Sequence, residues 1–70
     1  YNNKGLALYH IGKYEEADAL FDEAIDLNPN YAPAYYNKYS ALCKLDQYEE
    51  ALEYLSKYYE IMGIEKLMNF

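Results

Sequence analysis

The chain has 70 residues, with 12 Asp and Glu against 6 Lys and Arg, one His and a net charge of −6. A chain this short makes one small domain that buries about 60% of the surface its unfolded form exposes, which leaves little room for a deep, dry catalytic cavity. Apolar residues at 53%, among them 11 Tyr, exclude a disordered segment; one Cys excludes an internal disulfide and a Cys₄ zinc site; dispersed cations exclude a phosphate-binding surface; and no apolar run is long enough to span a membrane.

The lone Cys makes a reducing, cytoplasmic compartment the expected one. The chain opens on Tyr1 rather than Met, with Asn2 already in helical register, so it reads as a piece of something longer.

Tyr1, Gly5 and Leu8, then Ile11 or Gly12, keep a helical spacing. Gly12 ends this first helix, because a glycine just past a helix readily turns left-handed. Tyr14, Ala17, Leu20, Phe21, Ala24, Ile25 and Leu27 recur at i, i+3, i+4 and i+7 and predict an amphipathic second helix. Asn28-Pro29 stops it, since the residue before a proline is pushed out of the helical region. Asn30 is the expected cap of a third helix, with Pro33 in its first turn and Tyr35, Tyr39 and Leu42 on its inner face. Asp46 and Glu49 are the expected capping box of a fourth. Its stripe is Tyr48, Ala51, Leu52, Leu55, Tyr58 and Tyr59. Residues 64–70 leave room for the start of a short fifth helix.

Shifted by 34 positions, the sequence matches itself. The identical pairs are Tyr1/Tyr35, Asn3/Asn37, Lys4/Lys38, Ala7/Ala41, Leu8/Leu42, Tyr14/Tyr48, Glu15/Glu49, Glu16/Glu50 and Ala17/Ala51. A fixed period of this size marks a stacked repeat, each unit a pair of helices.

At these residues the chain resembles the tetratricopeptide repeat, whose pattern runs W-x₂-L-G-x₂-Y, then A-x₃-F, then P. Tyr1 stands at the Trp, Lys4 at the Leu, Gly5 at the Gly and Leu8 at the Tyr, followed by Ala17, Phe21, Ala24 and Pro29. The second unit aligns through Tyr35, Lys38, Tyr39, Leu42, Ala51, Leu55, Tyr58 and Gly63. The resemblance implies an all-α, right-handed solenoid of antiparallel helix pairs. Its four main helices form two repeats, 1–31 and 32–65, with 66–70 starting a capping segment. Where Gly5, Ala24 and Pro29 stand in the first unit, the second has Tyr39, Tyr58 and Gly63. The second unit is therefore expected to pack more loosely, or to be followed by a helix unlike a standard repeat, as the last unit of an array would be.

Every acid up to Gly63 falls on the second helix of a pair, with Asp46 counted as its cap. The resemblance implies that first helices line a concave groove and second helices form the outside, so an acidic coat is expected around an acid-free groove. The groove residues expected from helical geometry are Asn2, Leu6, Tyr9 and His10, then Tyr36, Ser40, Cys43 and Lys44, with Asn3 and Asn37 at the edge. Such a mixture of apolar surface, amide, hydroxyl and cation suits a bound peptide. The resemblance to co-chaperone domains that grip a peptide's terminal carboxylate is poor: Asn37 fits, but Asn2 and Leu6 stand where a Lys and an Asn are wanted.

Cys43 and His10 are the only residues resembling a catalytic pair, and neither first helix offers an acid to orient the His. One His and one Cys do not make a zinc site, and Glu15/Glu16 and Glu49/Glu50 read as helix-start charges. The expectation is a non-catalytic protein-interaction module without cofactor or metal, binding a protein or peptide partner and neither nucleic acid nor membrane. Two other readings stand beside it. One is a self-association segment that dimerises through Tyr58, Tyr59, Ile61, Met62 and Phe70; the other is a regulatory segment of a larger enzyme.

Overall fold

The computed structural model describes the backbone of residues 2–68 and the side chains of residues 2–63. Tyr1 at the Trp place and Phe70 in the dimer reading lie outside the described residues. Four helices follow one another: α1 (Asn2–His10), α2 (Tyr14–Leu27), α3 (Ala32–Lys44) and α4 (Tyr48–Met68). Each packs on the next in sequence, and α1 also touches α3. Connections this short force antiparallel neighbours, so the chain is a solenoid of helix pairs.

The first and third connections are the same structure. Gly12 N–H donates to Tyr9 C=O at 3.1 Å and Lys13 N–H to Leu8 C=O at 2.9 Å. Asp46 N–H donates to Cys43 C=O at 3.2 Å and Gln47 N–H to Leu42 C=O at 2.9 Å. Both sets are the paired bonds of a Schellman close, which needs a left-handed residue. Gly12 takes φ 87° and Asp46 takes φ 62°. Asp46 is therefore not the cap of α4, as expected from Glu49. It ends α3, and its carboxylate accepts from Tyr48 Oη at 3.0 Å.

The middle connection also differs from expectation. Asn30 does not cap α3; Tyr31 holds the cap position and no side chain bonds there. Instead Asn28 Oδ1 accepts from Asn30 N–H at 3.3 Å, and Tyr35 Oη donates to Pro29 C=O at 2.7 Å. Tyr35 thus ties its own helix to the turn before it, supplying the fixation a cap would give.

The core is built mostly of small residues. Ala17, Phe21, Ala24, Ala32, Ala34, Tyr35, Ala41, Leu42 and Ala51 are buried, and Phe21 and Leu42 are the largest fully buried side chains. Phe21 lies directly on Gly5: a Cβ there would stand 2.6 Å from Phe21 Cε1. In the second pair Gly5 and Phe21 give way to Tyr39 and Leu55, and Ala24 to Tyr58, all three half-buried. These positions are therefore less enclosed than their counterparts in the first pair.

Several residues of the expected stripes are exposed. Ile11 is 68% exposed because it sits in the turn after α1, and Leu27, at 69%, is the last residue of α2. Tyr48 and Leu52 are exposed on α4, which among the described residues packs on α3 alone. Gly63, at φ 155° and ψ 79°, is non-helical and kinks α4, so the helical backbone that follows it to Met68 is a separate short helix, as residues 64–70 left room for.

Candidate functional site

The first helices, α1 and α3, lie side by side, and a hydrogen bond fixes their spacing: Asn37 Nδ2 donates to Asn2 Oδ1 at 2.8 Å. Two of the expected groove amides are thus engaged with each other rather than presented to a ligand. Asn3 is exposed beside them.

On α1, Leu6 and Tyr9 are half-buried against the cluster of Ala17, Phe21 and Ala41, so they form the floor between the pairs. The Tyr9 ring meets the Tyr14 ring edge-on at 5.3 Å and that of His10 at 5.7 Å. His10 itself is exposed.

On α3, Tyr36 is 44% exposed, and its ring lies 5.6 Å from Tyr39 and 5.1 Å from Tyr58. Tyr58 in turn meets Tyr59 at 5.5 Å. These four rings form an aromatic ridge running from α3 onto α4, and Tyr36 and Tyr59 are its exposed members. Ser40 and Cys43 are half-buried and Lys44 is exposed. The Cys43 thiol is free and lies beside the Tyr39 phenol, and their hydrogen bond is the largest of the effects holding that phenol above its ordinary pKa. Among the described residues, no group of three or more His, Cys, Asp or Glu side chains could hold a metal ion.

One charged group was missed by the sequence reading, and among the described residues it is the most buried one. Lys38 stands at a Leu position of the repeat pattern and is 4% exposed. Its Nζ lies 2.7 Å from Asp18 Oδ1 and 2.9 Å from Asp22 Oδ1, and 4.8 Å from the centre of the Tyr54 ring. Burial pulls its pKa down, but the hydrogen bonds and attraction of both carboxylates outweigh this and hold it above the ordinary lysine value. Asp18 and Asp22 therefore belong to the contact between α2 and α3 rather than to a purely solvated coat. The available signal was the spacing: carboxylates at i and i+4 on one helix, and a Lys in an apolar register on the next.

The acids that do form an exposed coat are Glu15, Glu16, Glu23 and Asp26 on α2 and Glu49, Glu50, Glu53 and Glu60 on α4. The face of α1 and α3 carries no acid. No helix among the described residues is long and apolar enough to cross a membrane.

A family model described as Tetratricopeptide repeat matches residues 1–31, and a second of the same description matches residues 20–53. The chain is 45% identical over 53 residues to Uncharacterized protein MJ0572 of Methanocaldococcus jannaschii, an alignment covering 76% of this chain and 62% of that protein. It is 38% identical over 53 residues to Superkiller protein 3 of Saccharomyces cerevisiae, covering 76% of this chain and 4% of the yeast protein. It is 33% identical over 52 residues to the DnaJ homolog subfamily C member 7 homolog of Dictyostelium discoideum, covering 74% and 10%. The matched stretch thus spans less than two thirds of each of these relatives.

Proposed function

The chain belongs to the tetratricopeptide-repeat family, and on that premise we propose that its α1–α3 face binds a peptide segment of a partner protein without catalysing a reaction. Repeats of this family mediate protein–protein interaction. The observation that carries the reading here is the contrast between faces. The α2 and α4 surfaces are acidic, whereas the α1–α3 face offers exposed Tyr36, His10 and Lys44 beside half-buried Leu6, Tyr9, Ser40 and Cys43 and no acid.

An exposed Tyr on a fixed helix gives large contact area at the cost of few rotatable bonds. Lys44 adds attraction for a carboxylate on the peptide. The amides contribute less, because Asn2 and Asn37 already bond each other. Recognition then rests on the aromatic ridge and the cation rather than on an amide ladder.

The test is a peptide array probed with the chain and with the Tyr36→Ala/Lys44→Ala variant. Peptides bound by the first and lost by the second, with unchanged circular dichroism, support the face as the site. Retention of every peptide by the double variant counts against it.

A second reading is favoured by α4, which exposes Tyr48, Leu52, Tyr59 and Met62. Such a row supports self-association through the end helix. Sedimentation equilibrium separates the two: a monomer at high micromolar concentration removes the second reading and leaves the first intact.

A further inference from the structure

The second helix pair repeats Asn3 as Asn37, but it does not repeat Asn2, whose place is taken by Tyr36. The bond from Asn37 Nδ2 to Asn2 Oδ1, at 2.8 Å, therefore lies outside the repeat pattern. Nor is it needed to hold α1 in place, because Leu6 and Tyr9 already pack against Ala17, Phe21 and Ala41. Both amides are half-buried, so water competes for the bond and its net worth is small. Its visible effect is to hold the Asn37 amide against α1.

Asn37 follows Tyr36, the exposed ring of the groove. A peptide seated on that ring passes the Asn37 amide. A free amide there offers an acceptor and two donors, enough to pair with the N–H and C=O of a peptide unit. Asn2 takes one of those donors and turns the amide plane toward α1.

Resting on the peptide-binding reading of this face, we propose that Asn2 is a specificity-determining residue of the groove: it keeps Asn37 from the main chain of a bound peptide. Main-chain contacts are the same for every sequence, so they raise all affinities together and let poorly matched peptides bind. With Asn37 withheld, only peptides whose side chains suit Tyr36, Lys44 and the half-buried floor bind tightly enough to be retained. A peptide that does reach Asn37 must first displace Asn2, and one amide bond then replaces another with little net gain.

The test compares the intact chain with Asn2→Ala, Asn37→Ala and the two together on an array of random peptides, and measures the affinities of retained peptides by fluorescence anisotropy. Both positions lie on helices and alanine is the better helix former, so the fold is kept, which circular dichroism checks. Asn2→Ala should retain more peptides and bind each about two- to tenfold more tightly, the worth of one such hydrogen bond. The gain should be of similar size for peptides of unlike sequence, the mark of a main-chain contact. Asn37→Ala alone should leave affinities within about twofold of the unmodified chain, and in the double variant the gain should disappear. A bond that merely sets the spacing of α1 and α3 behaves differently: either single variant breaks it, and both weaken binding alike. That result overturns the proposal, as does an unchanged affinity in Asn2→Ala or a gain that survives the loss of Asn37. Peptides lost on Tyr36→Ala/Lys44→Ala but not tightened by Asn2→Ala overturn this proposal alone, whereas an array that retains nothing on any of these chains overturns the peptide-binding reading with it.

Discussion

Gly12 and Asp46 occupy the same point of the fold, 34 residues apart, each turning left-handed to close the helix before it. A left-handed residue with a side chain costs roughly 1–2 kcal/mol, less for Asp, and glycine avoids that cost. Asp46→Gly should therefore raise stability by about 0.5 kcal/mol even though its exposed bond to Tyr48 is lost. A helix cap would behave oppositely, losing a few tenths on the same change. The sign of the shift in a urea midpoint decides. Asp46 was misread because Asp suits a cap and a left-handed turn equally, and the nearby Glu49 favoured the cap. The repeat itself held the answer, since residue 46 is the image of Gly12. Gly5 poses a sterner demand. A Cβ there meets Phe21 Cε1 at 2.6 Å and Cδ1 at 2.8 Å, and the fully buried ring has nowhere to retreat. Gly5→Ala should cost about 1–3 kcal/mol in urea unfolding despite alanine's better helix propensity. Adding Phe21→Leu, the residue found at position 55, should make the two changes non-additive, because the smaller side chain removes the clash.

Between helices, Lys38 fastens α3 to α2. Lys38→Met leaves Asp18 and Asp22 facing apolar atoms, with Asp22 exposed enough to rehydrate. The expected loss is on the order of 2 kcal/mol, below that of a fully buried broken pair. The same contact has a pH signature. The folded pKa of Lys38 is raised, so its contribution is complete below its ordinary value of 10.5 and disappears as pH climbs through the folded value. Tyr54 acts in the same direction: burial raises its phenol, against the pull of Lys38, so deprotonation also favours unfolding. Thermal melts should therefore fall in midpoint above about pH 10.5, with a shallower fall in Lys38→Met. The helices themselves were legible. The apolar stripe from Tyr14 to Leu27 coincides with α2, and Pro33 lies in the first turn of α3 as expected. The Lys38 contact was not, because periodicity counts a Lys as a polar position and a pairwise ion contact leaves no period. For the same reason the Asn2–Asn37 bond, which removes two amides from the expected groove, was invisible. The break near the end of α4 was legible: residues 64–70 left room for a short helix, and Gly63 is non-helical where that stretch begins.

At the scale of the molecule, the extents of 38 × 25 × 17 Å describe a short stack in which each helix meets its chain neighbours. Small cores of this kind hold little reserve, so the charge pattern has a visible share in stability. The exposed acids of α2 and α4 are crowded by like charge within each helix: Glu15 and Glu16 adjoin, as do Glu49 and Glu50, with Glu53 one turn further on. They outnumber the exposed cations, and the net charge of −6 makes self-repulsion the dominant surface term. The ion pair that matters structurally, at Lys38, is buried and poorly screened, whereas the repulsion is exposed and falls off beyond about 10 Å in 0.1 M salt. Raising NaCl from low to moderate concentration should therefore stabilise the chain, by about 1 kcal/mol or roughly 4–8 °C for a domain of this size. Melts followed by circular dichroism at several salt concentrations check this. If the midpoint fell instead, exposed ion pairs would be holding the fold together, and the acidic coat would have to be paired rather than free.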